Sequence, residues 1–283
     1  HKIKAPEKYG STYDMKKGRK KVILFLVLFH CIVYGRCVRI GDNIRKVCQK
    51  ICGGYKRHTD ESEDFMRITI FSLGGLLGQY VTNTALLHGA QVTAYVPDAK
   101  AIWPRKNMTV IEGSLQNRER VLEALLEADA VISVLTPMRV KHVKEEETPL
   151  ADGNAMILSA MKQLGKTRFV TVGHVCIHAF GDCEDKYQRM STKFMQIFWP
   201  GVYKDMQKMG QVLARSDLNW TLVRTCAGRD GKVKKVGQNC SISLDGSQFR
   251  PGYSREALAE FLYEAAADQQ MYSRKMPIFY REG

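Results

Sequence analysis

A short glycine-rich stretch, residues 66–78, carries the strongest chemical signal in the sequence. Its first half is an alternating β-branched run, which predicts a buried strand, and the part that begins at Leu76 has the apolar spacing of a helix. A strand, a glycine turn and a helix in this order bring unpaired backbone N–H groups to a helix N-terminus, where the helix dipole favours an anion. The stretch therefore predicts a phosphate site; the alternative is a strand-to-helix turn without a ligand.

The glycines of this stretch are spaced as in a dinucleotide-binding turn. There, the first glycine makes the turn, the second lets the backbone approach pyrophosphate, and the third lets the helix pack on the strand. Gly75 and Gly78 suit the last two roles, while Ser72 stands where the first glycine is expected and Gly74 relieves the turn instead. The predicted pyrophosphate contacts are Ser72, Gly74, Gly75, Leu76, Leu77 and Gly78.

The cysteines do not predict a metal site. Cys48 and Cys52 are four residues apart, and no histidine or second cysteine pair follows at the spacing of a zinc finger. The four cysteines after residue 65 are scattered, as expected for reduced thiols in the cytosol. We therefore expect a cytoplasmic protein without a bound metal.

The positive charge is concentrated in a leader, residues 1–65. The chain has a net charge of +14; the leader has 15 Lys and Arg against 7 Asp and Glu, and residues 66–283 have 28 against 22. Because residues 66–283 show no concentrated basic stripe, no nucleic-acid partner is predicted. We expect this second part to be the domain and to fold alone, with residues 58–64 as a linker.

The leader contains a basic run followed by 13 largely apolar residues, 22–34. The apolar run is short for a membrane span, which needs about 20 residues, and matches the length of a signal-peptide core. Three interpretations stay open: an export signal, a weak membrane anchor, or an extension that does not fold. Weak membrane association through the leader is thus an alternative to a purely cytoplasmic location.

The elements that would position these residues alternate regularly. Strands are predicted at residues 68–71, 91–96, 108–112, 130–135, 168–172, 220–224 and 277–280. Helices are predicted at residues 76–88, 116–128, 150–164, 203–215 and 255–267, the last after the N-cap residue Ser254. This alternation predicts an α/β fold with a doubly wound parallel sheet.

Five segments in this order resemble the atypical short-chain dehydrogenase/reductases, in the NAD(P)H-binding group with the NmrA-like proteins and the flavin or biliverdin reductases. The resemblance covers nearly all of residues 66–283. The segments are ITIFSLGGLLGQYV, QVTAYVPD, MTVIEGSLQNRERVLEALLEADAVISVL, TPLADGNAMILSAMKQLGKTRFVTVG and LARSDLNWTLVRT. It implies a Rossmann fold, a nicotinamide cofactor across the carboxyl ends of the strands, and a substrate pocket from the C-terminal third.

The resemblance also implies cofactor contacts at the strand ends. By position in the family they are Asp98, Lys100, Ser114, Ser133, Leu135 and Thr136. Lys100, Arg105 and Lys106 favour a 2′-phosphate, whereas a carboxylate at Asp98 favours a free ribose hydroxyl. Three cations against one acid make NADP the expected cofactor, with NAD as the alternative.

The residues that could perform catalysis are few. Typical short-chain dehydrogenases use Tyr-x-x-x-Lys, and no tyrosine after residue 65 has a lysine four residues later. By position His174, after the fifth strand, could donate a proton or hold a bound ring, since an unperturbed histidine has a pKa near roughly 6.5; the alternative is a loop histidine without a role. A buried structural thiol is the favoured interpretation of Cys176 over a nucleophile.

Two functions from different classes remain open. The first is an NAD(P)H-dependent oxidoreductase that transfers hydride to a flavin, quinone or similar small planar acceptor, for which His174 is the catalytic candidate. The second is a non-catalytic NAD(P)-binding redox sensor or accessory subunit, which the missing Tyr-x-x-x-Lys favours. The aromatic residues Phe180, Phe194, Phe198 and Trp199 line an acceptor pocket or form ordinary core. The sequence does not indicate an oligomeric state.

Overall fold

The computed structural model describes residues 65–135, 147–183, 185–226, 240–247 and 249–281, all within a unit of residues 64–283. Its strands are β1 (Arg67–Ser72), β2 (Gln91–Val96), β3 (Met108–Glu112), β4 (Ala130–Val134), β5 (Arg168–His174), β6 (Asn219–Thr225), β7 (Cys240–Ser243) and β8 (Ile278–Arg281). Its helices are α1 (Leu76–Leu87), α2 (Arg118–Leu125), α3 (Pro149–Gln163), α4 (Lys186–Phe198), α5 (Pro200–Ala214) and α6 (Arg255–Ala267), with a short 3₁₀ helix at Ala99–Ala101.

The described strands form one sheet in the order β3-β2-β1-β4-β5-β6-β8-β7. All neighbouring strands are parallel except β7 and β8. The strand order reverses between β1 and β4, and in such sheets the crevice at this point binds ligands. The predicted doubly wound α/β fold is therefore confirmed.

Both faces of the sheet are covered, which is why the central strands are apolar almost throughout. On one face Phe71 belongs to a buried cluster with Leu125 of α2 and with residues of α3 and α5. On the other face Ile70 belongs to a second cluster with Val81 of α1 and Leu262 of α6. Since parallel strands bury both faces, continuous apolar runs such as β4 form in the middle of the sheet.

The predicted boundaries agree with the structure to within about three residues for the elements that the sequence indicated. The Ser254 hydroxyl accepts a hydrogen bond from the backbone N–H of Ala257 at 3.3 Å, as an N-cap does. Gly89 follows α1 with a φ of +80°, a conformation that glycine adopts without strain.

Three elements were missed: α4, β7 and the short 3₁₀ helix. The apolar residues of α4 have helical spacing, but they lie on its exposed side, while its buried side contains Gln188, Thr192 and Met195. Asp185 caps this helix and accepts from the backbone N–H of Tyr187 at 2.8 Å. β7 has only four residues and pairs antiparallel with β8.

The leader predictions fall on residues 1–64, which lie outside the described part of the chain. Within the described part, no helix is long and apolar enough to span a membrane.

Candidate functional site

The first turn of α1, which follows β1, has backbone donors without side-chain partners among the described residues. Gly74 has a φ of +76°, so it makes the turn in a conformation that other residues rarely adopt. Gly75 is the N-cap of α1; no side chain in the described ranges caps the helix, and its first turn contains no acidic residue. The N–H groups of Leu76, Leu77 and Gly78 therefore lie at the positive end of a 12-residue helix. This arrangement fits a bound phosphate group.

Ser72 is accommodated in this turn by Gly78. The Ser72 side chain is almost fully buried, and its hydroxyl accepts from the backbone N–H of Gly74 at 3.2 Å. A Cβ atom on Gly78 would lie 2.1 Å from the Ser72 Oγ and 2.8 Å from its Cβ. The predicted role of Gly78, close packing of the helix on the strand, is confirmed, and the residue that requires it is Ser72.

A cavity of about 750 Å³ lies beside this turn, at the carboxyl ends of β1 to β4 and the start of α3. The structure brings three predicted cofactor contacts together in its lining, namely Ser72, Ser114 and Leu135. Pockets for small ligands and cofactors commonly measure about 300–1,000 Å³. The cavity and the uncapped helix end are adjacent features of the same sheet edge.

Tyr95 shapes the floor of this cavity and was missed by the sequence analysis. Its hydroxyl donates to the backbone carbonyl of Ser114 at 2.8 Å, and burial raises its pKa. A Cβ atom on Gly113 would lie 2.3 Å from the Tyr95 hydroxyl oxygen, so Gly113 leaves the room that this hydrogen bond needs. The Ser114 hydroxyl is occupied locally, since it contacts the Gln116 side chain at 3.0 Å.

Asp98 and Lys100 are exposed just after β2, next to Pro97 of the cavity lining. The Asp98 carboxylate accepts from the backbone N–H of Lys100 at 2.9 Å and caps the short 3₁₀ helix. The guanidinium of Arg105 donates to the side chain of Asn83 on α1. Asp98 and Lys100 stay predictions as cofactor contacts.

The expectation that the Ser133 side chain faces the cofactor is wrong. Ser133 is fully buried, and its hydroxyl contacts the Asn154 side chain on α3 at 2.8 Å. The hydroxyl is therefore used inside the fold, between β4 and α3. The prediction for Thr136 lies outside the described residues.

His174 is the last residue of β5, and its ring is held as a neutral imidazole. The Nδ1 atom accepts from the backbone N–H of Cys176 at 3.1 Å, so Nε2 carries the hydrogen and lies 3.4 Å from the Ser191 Oγ. Burial lowers the pKa of His174 to about 4. The expected pKa near roughly 6.5 is therefore wrong, because protein rather than water surrounds the ring.

Ser191 links His174 to a cysteine, which the sequence did not indicate. The Ser191 Oγ lies 3.3 Å from the Cys226 Sγ, so an imidazole, a hydroxyl and a thiol form a chain between β5, α4 and the end of β6. Burial raises the pKa of Cys176 to about 12, in keeping with the favoured interpretation as a buried thiol. Burial also raises the pKa of Cys226, so neither thiol is an activated nucleophile.

The aromatic residues of this region lie at the surface, which corrects their interpretation as ordinary core. Phe194, Phe198 and Trp199 have 48, 60 and 42% of their surface exposed, and Phe180 is fully exposed. The first three line neither of the two large cavities, while Phe180 lines a separate cavity of about 680 Å³ beside α5.

No group of three His, Cys, Asp or Glu side chains in the described ranges could hold a metal ion.

A family model described as NAD(P)H-binding matches residues 74–269. Among solved structures, the chain is similar to a short-chain dehydrogenase/reductase from Veillonella parvula, with 21% identity over 77% of this chain and 95% of that chain and a TM-score of 0.62. A second structure from that organism, described as a complex with NADP, has 22% identity over 77% and 96% of the chains and a TM-score of 0.59.

An oxidoreductase from Lactococcus lactis is also similar in structure. It has 13% identity over 77% of this chain and 91% of that chain, with a TM-score of 0.60. At these identities the likeness concerns the fold. No curated protein matches the chain.

Proposed function

Because this chain belongs to the NAD(P)H-binding family, we propose that it is an NAD(P)H-dependent oxidoreductase of the atypical short-chain dehydrogenase/reductase type, whose acceptor is a flavin, quinone or similar planar molecule. The bound dinucleotide supplies the hydride. The turn and the cavity supply the binding site, and the end of β5 supplies a polar group beside the acceptor.

The choice of a planar acceptor rests on the protonation state of His174. Its Nδ1 accepts from the Cys176 N–H, and its pKa of about 4 keeps the ring neutral at pH 7. A neutral imidazole donates a hydrogen bond through Nε2 but is not an acid that protonates an alkoxide. The sequence offers no Tyr-x-x-x-Lys for that task either. A planar acceptor needs mainly to be held against the reduced ring, because the cofactor carries the chemistry.

The cofactor we propose is NADP. The N–H groups of Leu76, Leu77 and Gly78 would hold the pyrophosphate, and the cavity lined by Ser114 and Leu135 would take the adjoining nucleotide. Lys100 would pair with a 2′-phosphate, whereas Asp98 opposes it. The similar Veillonella parvula structure, described as a complex with NADP, supports this choice.

A non-catalytic NAD(P)-binding sensor or accessory subunit is the second candidate, and one observation favours it. Both ring nitrogens of His174 have partners within the protein, Cys176 on one side and Ser191 on the other. The Ser191 contact is long at 3.4 Å, so an acceptor could replace it. If the contact persists, His174 serves the fold rather than a substrate.

Turnover of NADPH with a panel of flavins and quinones tests the proposal, with NADPH affinity measured in parallel by fluorescence. We expect wild-type turnover, and His174→Ala should lower turnover without changing NADPH affinity. The loss should be smaller than the roughly hundredfold minimum of a general acid, since a neutral ring only orients the acceptor. His178→Ala is the matched control and should behave as wild type.

Three results would contradict parts of this proposal. Equal turnover in wild type and His174→Ala would remove His174 from the mechanism. NADPH binding without turnover of any acceptor would favour the sensor or accessory subunit. Absence of NADPH binding would remove the cofactor site itself.

A further inference from the structure

Helix α4 buries mainly polar side chains and exposes apolar ones, which is the reverse of a helix that packs on a core. The side that packs on the protein carries Gln188, Thr192 and Met195. Large apolar side chains point away from it, with 42 to 71% of their surface exposed: Met190, Phe194, Ile197, Phe198 and Trp199. We call these five residues the apolar face of α4. Such contiguous exposed apolar surface marks an interaction site more often than scattered surface residues do.

The aromatic members of the apolar face contact one another. The ring centroids of Phe194 and Phe198 are 4.6 Å apart, and those of Phe194 and Trp199 are 5.3 Å apart with nearly perpendicular planes. The rings therefore form one cluster at the C-terminal end of the helix. A cluster of this kind forms one apolar surface that a binding partner can cover.

A basic row runs along the exposed side of the same helix. Lys186, Arg189 and Lys193 are exposed, and neither Arg189 nor Lys193 has an ion pair within the described ranges. Residues 186–204 contain no acidic residue. The nearest preceding acid that the structure describes, Asp185, caps α4 and lies 3.6 Å from the Arg250 guanidinium.

We propose that the apolar face and basic row of α4 dock this domain on an anionic lipid bilayer. A helix with aromatic and aliphatic side chains beside Lys and Arg lies in the plane of the interface, with its apolar side chains among the acyl chains and its cations near the headgroups. The charge disfavours a second copy of α4 as the occupant, because the two basic rows would bring like charges together.

The docking surface lies beside the proposed acceptor site. Ser191, on the inner side of α4, contacts the His174 ring at the end of β5. This part of the inference rests on the proposed function. A docked α4 would place the acceptor site next to the bilayer. The acceptor that the bilayer would supply is a lipid-dissolved quinone. Docking itself depends only on the surface of α4.

Insertion of Trp199 into vesicles tests the proposal on the full-length chain. Trp103 is 85% exposed and Trp220 is 5% exposed, so a Trp103→Phe background makes Trp199 the chief exposed reporter. We expect brominated lipids to quench Trp199 in vesicles that contain phosphatidylglycerol, and much less in pure phosphatidylcholine. High salt should reverse the quenching, since it screens the headgroups.

Variants of the basic row and of the apolar face separate the electrostatic and apolar contributions to vesicle binding. Replacing Lys186, Arg189 and Lys193 by Gln should weaken partitioning by roughly a hundredfold, on the basis of roughly fivefold for each cation near an anionic surface. Phe198→Ser should also weaken it. Leu87→Ser on α1, where the leucine is 87% exposed, is the matched control and should leave partitioning unchanged.

The outcomes separate docking from the proposed function. Sedimentation with vesicles without quenching of Trp199 would assign membrane binding to the leader and overturn the proposal. Binding of RNA or an acidic polypeptide with the same dependence on α4, but no insertion into vesicles, would overturn it in favour of a soluble partner. Quenching of Trp199 in a protein that turns over none of the flavins and quinones in solution would support docking and contradict the oxidoreductase.

Discussion

The carboxyl edge of the sheet has two halves that differ in how their polar groups are paired. At the end of β1, the N-terminus of α1 has no side-chain cap and lies beside a cavity of about 750 Å³. At the end of β6, Arg224 is fully buried and every partner belongs to the protein. Its guanidinium donates to both Asp182 oxygens, to the Ile177 carbonyl at 2.9 Å and to the Met276 carbonyl at 2.7 Å.

From this difference we infer that the first half of the edge binds a ligand and the second half stabilises the fold. Backbone donors that lack partners among the described residues are available to an anion, whereas a buried guanidinium with four hydrogen bonds to the protein holds the loops around it in place. The first half should therefore lose ligand affinity when altered, and the second half should lose stability. Five predictions, from the largest expected effect to the smallest, test this division.

Removal of Asp182 should have the largest effect. Asp182→Ala leaves the Arg224 charge buried without its partner, which should lower the free energy of unfolding by roughly 3–5 kcal/mol. Urea denaturation measures this change. Asp217→Ala removes an exposed ion pair with Lys162 and should leave stability unchanged within error. Equal stability of Asp182→Ala and wild type would show that the second half does not support the fold.

Gly75→Val should weaken NADPH binding by roughly a hundredfold, since a branched side chain displaces phosphate from hydrogen bonds worth about 1.5–3 kcal/mol each. The fold should persist because a φ of −81° and ψ of 164° suit valine. Fluorescence titration measures the affinity. Leu76→Ala keeps the backbone N–H and should bind as wild type. Undiminished affinity in folded Gly75→Val would contradict the site.

The stability of the wild-type protein should fall as the pH is lowered from 7 to 5. In the unfolded state His174 binds a proton below its ordinary pKa of 6.5, whereas in the folded state burial lowers this pKa to about 4. Unfolding is therefore favoured by up to about 2 kcal/mol at pH 5. His174→Gln should lose this part of the pH dependence in urea denaturation. Parallel profiles for the two proteins would contradict a buried neutral ring.

Ser72 and Gly78 should be energetically coupled. Gly78→Ala places a Cβ atom 2.1 Å from the Ser72 Oγ, and overpacking of this kind costs about 1–3 kcal/mol. In the Ser72→Gly background the same change should cost at least about 1 kcal/mol less. A double-mutant cycle in urea measures the coupling, and simple additivity would show that the two residues do not share the space.

The smallest expected effect concerns Lys100. NADPH should bind more tightly than NADH, and Lys100→Gln should weaken NADPH binding by roughly threefold, the order of a solvent-exposed charge pair. NADH affinity should not change. Lys193→Gln, on α4 in the other half, is the control for a general loss of positive charge. Tighter binding of NADH than NADPH by wild type at equal ionic strength would reverse the preference.

The fold could be predicted because its signals are local. The alternation of apolar strands with helical periodicity, the glycines of the first turn and the N-cap Ser254 each occupy a few consecutive residues, and all agree with the structure. The same holds for the phosphate site that we propose in the first half of the sheet edge, where the donors are backbone N–H groups of consecutive residues. A short stretch of sequence suffices to propose such a site because one turn positions these donors.

The second half depended on contacts between residues far apart in the chain. Asp182 lies 42 residues from Arg224, and Ser191 lies 17 from His174. The sequence suggested His174 by position but not its low pKa, because the pKa follows from burial by elements that the sequence does not place. The apolar residues of α4 have helical spacing yet face outward, because spacing alone does not determine which side of a helix is buried. The sequence therefore determined the backbone site, and tertiary packing alone decided which side chains are buried, neutral or exposed.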